Sequence, residues 1–249
     1  MEPNFDTILK EGCTISSSGT TGPSKDIYRD PDNLKACNDV AVEVQKITKD
    51  SRIYTCTRMT HAGGLLLQSL PAHTLGCEVH ITKFNVYKFL NEFANYTHTF
   101  LPPEMCEVLI NTKNFATCDL SGKTVAMGSF SIPWHHIIEF VDRGATVITN
   151  WGMSEVGPCV INTAFTDSVM VSDYKSRSIP QATIMGDKIH CSVRIANDQL
   201  YVKGDISIYE DKWFATGDYV AVNNNGEYYY YGRSKTMIND KNERDYVSS

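Results

Sequence analysis

Between residues 53 and 148 short apolar runs alternate with amphipathic ones, and this rhythm limits the fold more than any other feature of the chain. "CEVHIT" (77–82) reads as a strand, and "VYKFLNEFANY" (86–96) as a helix with Phe89, Phe93 and Tyr96 on one face. "THTFL" is the next strand and "PPEMCEVLINT" a helix started by proline. "KTVAMGS" is a strand, "PWHHIIEFVDRG" a helix closed by Gly144 as a left-handed cap, and "ATVITN" a strand again. Strands alternating with helices of this length predict an α/β fold, a largely parallel sheet layered with helices.

The flanks extend the pattern. "PDNLKACNDVAVEVQKITKD" places Leu34, Cys37, Ala41 and Val44 on one helical stripe, capped by Asp30 or Asp32. Cys13–Ser16 and Asp26–Arg29 read as strands of a hairpin. After about Ser172 the runs "KIHCSVRIA", "QLYVKG", "DISIYED", "YVAVNN" and "EYYYYG" are short strands separated by Asn, Gly and Asp turns. They predict a smaller β-rich, barrel-like lobe. The expected division is residues 1–172, 173–235 and a tail at 236–249.

A net charge of −6 and a pI near 5.6 give no electrostatic footprint for nucleic acid, so an anionic ligand would need local N–H groups, a basic side chain or a metal ion. The longest apolar stretch, at residues 63–70, is too short to span a bilayer, and the first residues lack a signal-peptide pattern. Eight dispersed cysteines without a C-x-x-C pair suit reduced thiols. The expectation is a soluble cytoplasmic protein with no nucleic-acid or membrane partner.

Four short stretches carry possible chemistry. "ISSSGTTGPSK" (15–25) is either a flexible Gly/Ser connector or an anion nest, and it does not fit the Walker pattern. "NWGMSE" (150–155) ends a predicted strand, where ligands bind in open α/β sheets. There Trp151 offers a flat face, Ser154 a hydroxyl and Glu155 a hard oxygen for Mg²⁺. A turn around a packed tryptophan is the plainer reading. In "WFATGDY" (213–219) Asp218 can accept from two ribose hydroxyls, or be part of a simple Gly-Asp hairpin. Arg233 and Lys235 in "YGRSKTMI" alone suggest a solvated face. His135 and His136 have no carboxylate or cysteine arranged to make a metal site, and read as packing or solvation.

In this order the four stretches resemble the adenylate-forming (AMP-binding) superfamily of acyl-CoA synthetases, nonribosomal-peptide adenylation domains and luciferases. "SSSGTTGPSK" is similar to that family's phosphate loop, "NWGMSE" to its Y-G-x-[ST]-E box, "KGDISIYEDKWFATGD" to G-[ED]-[IL]…W-[FY]-x-T-G-D and "YGRSKTMI" to G-R-x-K-x-x-I. "THAGGL" (60–65) is like the H-x-x-G-L segment, and "MGSFSIP" (127–133) lies where the family has G-G-A-P-L. The resemblance implies that Ser16, Ser17, Ser18, Gly19, Thr20, Thr21, Gly22 and Lys25 cradle the β- and γ-phosphates of ATP. It implies that Asn150, Trp151 and Gly152 contact the nucleotide, with Trp151 stacked on adenine and Gly128 and Ser129 along the adenine edge. Ser154 would touch the α-phosphate, Glu155 would hold Mg²⁺, and Asp218 and Arg233 would bind the ribose. His61, Gly63, Gly64 and Met153 would border the pocket of a carboxylic acid, and Gly63 and Gly64 would leave room in it. Acyl adenylation with release of pyrophosphate is the implied reaction, with CoA as an acyl acceptor.

The departures from the pattern shape the expectation. About a dozen residues precede the loop, and 14 follow Lys235, where the family carries a domain that supplies a catalytic lysine. Lys241 has no such motif around it, and "GPSK" replaces "GxPK". The expectation is a minimal acid ligase that self-associates or is completed by a partner protein through an apolar surface on the helices of residues 86–143. The alternative is a nucleotide or acyl-adenylate binder without turnover.

Overall fold

The computed structural model describes residues 3–17, 25–129 and 131–233. Helix α1 (Phe5–Glu11) leads into the hairpin β1 (Cys13–Ser16) and β2 (Asp26–Arg29), then helix α2 (Pro31–Gln45). Strand β3 (Arg52–Thr55) is followed by a π-helical turn (Leu65–Ser69) that runs into α3 (Leu70–Thr74). Next come β4 (Glu78–Ile81), α4 (Phe89–Phe93), β5 (His98–Leu101), α5 (Pro103–Ile110), β6 (Thr124–Gly128), α6 (Trp134–Val141) and β7 (Thr146–Met153). The remainder is β8 (Gly157–Phe165), α7 (Ser168–Ser176), β9 (Thr183–Gly186), β10 (Lys188–Ile189), β11 (Ser192–Ala196), β12 (Gln199–Lys203), β13 (Phe214–Val222) and β14 (Tyr228–Arg233).

Seven strands form one sheet in the order β10-β8-β7-β6-β5-β3-β4, parallel from β4 through β7 and antiparallel at β8 and β10. Its inner strands β5, β6 and β8 are buried on both faces while the edge strands β4 and β10 are not, and alternation along each inner strand decides which layer a side chain meets. Leu101, Val125, Met127 and Val147 pack with Phe89, Phe93, Cys106, Leu109, Ile137 and Phe140 of α4–α6. Their neighbours Phe100, Ala126 and Ile148 face the other way, onto Ala41 of α2 and Leu67 of the π turn. Asp30 caps α2 through Asn33 N at 2.9 Å, with Pro31 in the first turn, and Gly144 takes φ 91° after α6. The second sheet is antiparallel, order β11-β12-β13-β14-β9; it is open, with β11 and β9 as its edges.

Several expectations need correction. "DISIYED" is a series of turns, closed by Ser207 N to Gly204 O and Glu210 N to Ser207 O, with Ile206 turned into the core. "KIHCSVRIA" is two strands in two sheets, broken at His190–Cys191. The helix expected at 86–96 keeps its aromatic face, with Phe89, Phe93 and Tyr96 all around Tyr54, but Asn85 makes a turn of its start. Among the described residues of 86–143 the exposed large apolar side chains are Tyr87 and Val108, so the broad apolar surface expected there is missing. Charged and polar residues such as Glu104, Glu107, Lys113 and Glu139 take the outward positions instead.

Candidate functional site

A cavity of about 1720 Å³ runs along the carboxyl ends of all five parallel strands. Cys56 and Thr57 follow β3, Thr82 and Lys83 follow β4, Pro102 follows β5, Ser129 follows β6, and Trp151–Met153 end β7. The chain leaves β3 toward β4 on one side and resumes at β5 on the other, so a topological switch point lies in this row. A pocket for one drug-sized ligand is about 300–1,000 Å³, so this one has room for two reactants.

Ser17, Lys25, His61, Gly63, Gly64, Ser129, Asn150, Trp151, Gly152, Met153, Ser154, Glu155, Asp218 and Arg233 all line the cavity. Ser16 and Gly128 stand just behind it. Ser16 accepts from His61 Nδ1 at its carbonyl (3.1 Å), and Gly128 lets β6 approach β7 so closely that a Cβ would lie 2.3 Å from Asn150 O. Ser18, Gly19, Thr20, Thr21 and Gly22 lie outside the described residues, as do Lys235 and Lys241. The base of their loop is fixed by Ser17 N to Lys25 O and Lys25 N to Ser17 Oγ, both 2.9 Å. Ser129 holds φ 78°, a left-handed conformation unusual for serine and of the kind found at functional sites.

Ser154 and Glu155 occupy the turn between β7 and β8, whose last pair is Met153 with Gly157. This turn is tied from behind by residues that sequence reading missed. Ile208 N donates to Glu155 O (3.0 Å), and Arg29 Nη2 donates to Ser154 O (2.7 Å). Arg29 is fully buried, and its Nη1 donates to Ile206 O (3.1 Å) and to Asn33 Oδ1. Asn33 Nδ2 in turn donates to Asp205 O (2.7 Å). Burial lowers the Arg29 pKa from its ordinary value, and no carboxylate among the described residues forms an ion pair with it. One guanidinium thus joins the hairpin that carries the Ser/Gly loop, the turn that carries Glu155, and the 205–206 turns.

Asp218 and Arg233 are paired across β13 and β14, so the ladder register itself brings the ion pair together. Arg233 Nε donates to Asp218 Oδ1 (2.5 Å) and Nη2 to Oδ2 (3.2 Å), while Trp151 Nε1 of the large sheet donates to Oδ2 (3.0 Å). Asp218 is buried beneath these donors. Trp151 therefore has its ring edge fixed and its position set against the second sheet. Burial, then Asp218, pushes the Tyr230 phenol beside them up to about 12.

One expectation about the acid pocket fails. Gly63 and Gly64 do not leave room: a Cβ would meet the Phe100 ring at 2.4 Å and Arg58 O at 2.5 Å. They are points of close approach. The pocket wall beyond them is apolar, with Met59, Leu67, Ile81, Phe84 and Phe100.

Fold and cavity together define an α/β protein with a large cavity at the carboxyl ends of a parallel sheet. The chain belongs to the AMP-binding enzyme family, which it matches over residues 13–208. It is 28% identical over 250 residues to the indoleacetate–CoA ligase of Aromatoleum aromaticum, covering 92% of this chain and 49% of that protein. It is 25% identical over 270 residues to a feruloyl-CoA synthase of an Amycolatopsis species, covering 98% of this chain and 54% of that one. The chain thus spans about half the length of the curated relatives it matches. The O-succinylbenzoate coenzyme A synthetase of Bacillus subtilis, solved with ATP and magnesium, shares the fold with a TM-score of 0.75 at 19% identity, over 91% of this chain and 51% of its own.

Proposed function

We propose that this chain carries the nucleotide and acid sites of an AMP-forming acid–CoA ligase. The observation that carries the reading is the convergence of Lys25, Ser154, Glu155, Asp218 and Arg233 on one cavity at the ends of the parallel strands. In this reading the Ser17 hydroxyl and the Lys25 ammonium hold the β- and γ-phosphates, and Ser154 donates to an α-phosphate oxygen. Asp218 accepts from the ribose, with Arg233 holding its carboxylate in place, and Trp151 covers the base. Glu155 and the adjacent Ser154 fit Mg²⁺, which takes one or two carboxylates together with substrate phosphates. When bound, that ion supplies charge neutralisation at the phosphate oxygens.

The acid lies against Met59, Phe84 and Phe100, a wall that suits an apolar, ring-sized carboxylic acid of the kind named for the two curated relatives. A carboxylate oxygen attacks the α-phosphorus, the bond to the bridging oxygen breaks, and pyrophosphate leaves with the electron pair. The acyl-adenylate then passes its acyl group to the thiol of CoA, releasing AMP and a proton. Pyrophosphate exchange into ATP, run with a panel of aryl acids, tests the first step. Acid-dependent exchange supports the ligase. ATP binding without exchange would leave a nucleotide-binding protein, and no ATP binding would remove the reading altogether.

A further inference from the structure

Where α5 and α6 meet, a glutamate and two histidines that are remote from it in sequence come to one point. Glu107 sits in the middle of α5, and His135 and His136 open α6. Packing of these two helices brings both imidazoles onto the same carboxylate oxygen: His135 Nε2 and His136 Nε2 each donate to Glu107 Oε2 at 2.8 Å. The rings lie 4.2 Å apart and tilted by 63°, so they approach the oxygen from two directions. The sequence expectation that no carboxylate accompanies this histidine pair is therefore overturned.

The chemistry of the cluster is specific. One ligand atom from each of the three residues lies within 4.8 Å of the others. His136 is buried, and its Nδ1 has no partner among the described residues, so Nε2 is the nitrogen that makes its polar contact. The second oxygen of Glu107 accepts from Asn111 Nδ2 at 2.9 Å, which fixes the carboxylate plane from outside the cluster. Such outer support is what a metal-ligating carboxylate ordinarily has. Two imidazoles and one carboxylate match a borderline cation of the zinc class and do not suit Mg²⁺ or Ca²⁺. Bonds of about 2.0–2.2 Å in tetrahedral geometry separate ligand atoms by roughly 3.3 Å. The present 2.8 Å contacts would therefore open by about half an ångström, within the reach of side-chain rotation at the partly exposed Glu107 and His135.

We infer that Glu107, His135 and His136 form a zinc-class metal site, separate from the nucleotide cavity, that clamps α5 to α6. The clamp adjoins the cavity through the chain, because Glu104 and Met105 at the start of α5 and Ser131 and Ile132 just before α6 line its wall. Metal at the cluster would hold these two wall segments in register.

The test is Zn²⁺ binding by the purified chain, measured by competition with a chromophoric chelator, and Co²⁺ absorption as a read-out of ligand type. Wild type is expected to bind one ion and to melt at a higher temperature with Zn²⁺. Glu107→Gln and His135→Asn, both at exposed positions, should each weaken binding at least about tenfold and abolish the thermal shift. The Co²⁺ spectrum should show d–d bands without a thiolate charge-transfer band. Absence of Zn²⁺ binding by wild type at millimolar metal would overturn the assignment. Undiminished binding in either variant would place the metal elsewhere, and a thiolate band in the wild-type spectrum would assign it to cysteines; either result would overturn it equally.

Discussion

Replacing Arg29 by methionine is the sharpest probe of how the site is built. The substitution keeps an unbranched side chain of comparable length and removes every donor. Ser154 O then loses its Arg29 donor, and Ile206 O and Asn33 Oδ1 keep only the weak contacts from Cys37 Sγ at 3.7 and 4.0 Å. An orphaned buried acceptor costs about 1–3 kcal/mol. Ser154 borders the cavity, where water can reach it, and removing a buried charge without an ion-pair partner relieves some desolvation. The expected destabilisation is therefore about 3–5 kcal/mol, large against a typical total of about 5–15 kcal/mol. Urea unfolding followed by tryptophan fluorescence measures it.

Function should fall further than stability alone explains. The Ser154–Glu155 turn loses its rear anchor, and displacement of catalytic groups by about 1 Å can cost about a hundredfold in rate. At a temperature where the variant is still folded, acid-dependent pyrophosphate exchange should drop by about that factor, mostly in kcat. Arg29→Lys separates charge from geometry: one ammonium cannot serve acceptors on both the β7–β8 turn and the 206 loop, so stability should stay low. A methionine variant within about 1 kcal/mol of wild type, with unchanged exchange, would refute the argument that this guanidinium organises the site.

Further outcomes are expected from the same structure. Asp218→Asn should weaken ATP binding at least about tenfold, about 1.4 kcal/mol, and shrink the preference for ATP over its 2′-deoxy form; calorimetry with both nucleotides checks it. Gly128→Ala forces a Cβ to within 2.3 Å of a backbone oxygen of β7, so β6 and β7 must part, at a cost of about 1–3 kcal/mol in chemical denaturation. Stability should also fall at alkaline pH. Burial pushes the thiols of Cys37 up to about 11 and of Cys56 and Cys191 up to about 12, from an ordinary 9.0. The folded state therefore holds these protons after the unfolded chain has released them. That stabilisation is complete below about pH 9 and is lost as pH rises toward 11–12, by about 1.4 kcal/mol per thiol per pH unit. Melting temperatures between pH 8 and 11 test the slope, which alanine at Cys56 should reduce.

Much of this site was legible because its chemistry is local in sequence. Ser154 and Glu155 follow one strand directly, and Asp218 and Arg233 each sit on a strand directly after a glycine. The parallel core was legible because each strand is short and each helix amphipathic. What escaped were pieces whose pattern depends on remote partners. β8, "GPCVINTAF", is buried along nearly its whole length and shows no polar alternation, so it does not announce itself as a strand. "DISIYED" alternates well, yet its Ile206 is held in a turn that presents a carbonyl to Arg29. Arg29 looks like an ordinary strand residue in "DIYRDP", and its acceptors lie 125 and 177 positions away. Glu107 meets the histidines only because α5 and α6 pack together.

The charge distribution raises a last expectation. A chain of net charge −6 offers a polyanion no long-range attraction, so nucleotide affinity has to come from groups close to the phosphates. In the proposed reading Lys25 lies among these groups and Arg29 acts from behind them. Lys25 is exposed, and at about 0.1 M salt its field is screened beyond roughly 10 Å. Arg29 is buried behind the Ser154–Glu155 turn, where salt does not reach. Lys25→Ala should therefore lower ATP affinity most at low salt and flatten its dependence on ionic strength. Arg29→Met should lower affinity by a similar factor at 0.05 and 0.5 M salt and leave the slope as it was. Titrations of both variants across that range decide the matter: a slope reduced as much by the methionine as by the alanine would mean that the Arg29 charge is felt through solvent, and that its burial does not set how it acts on the nucleotide.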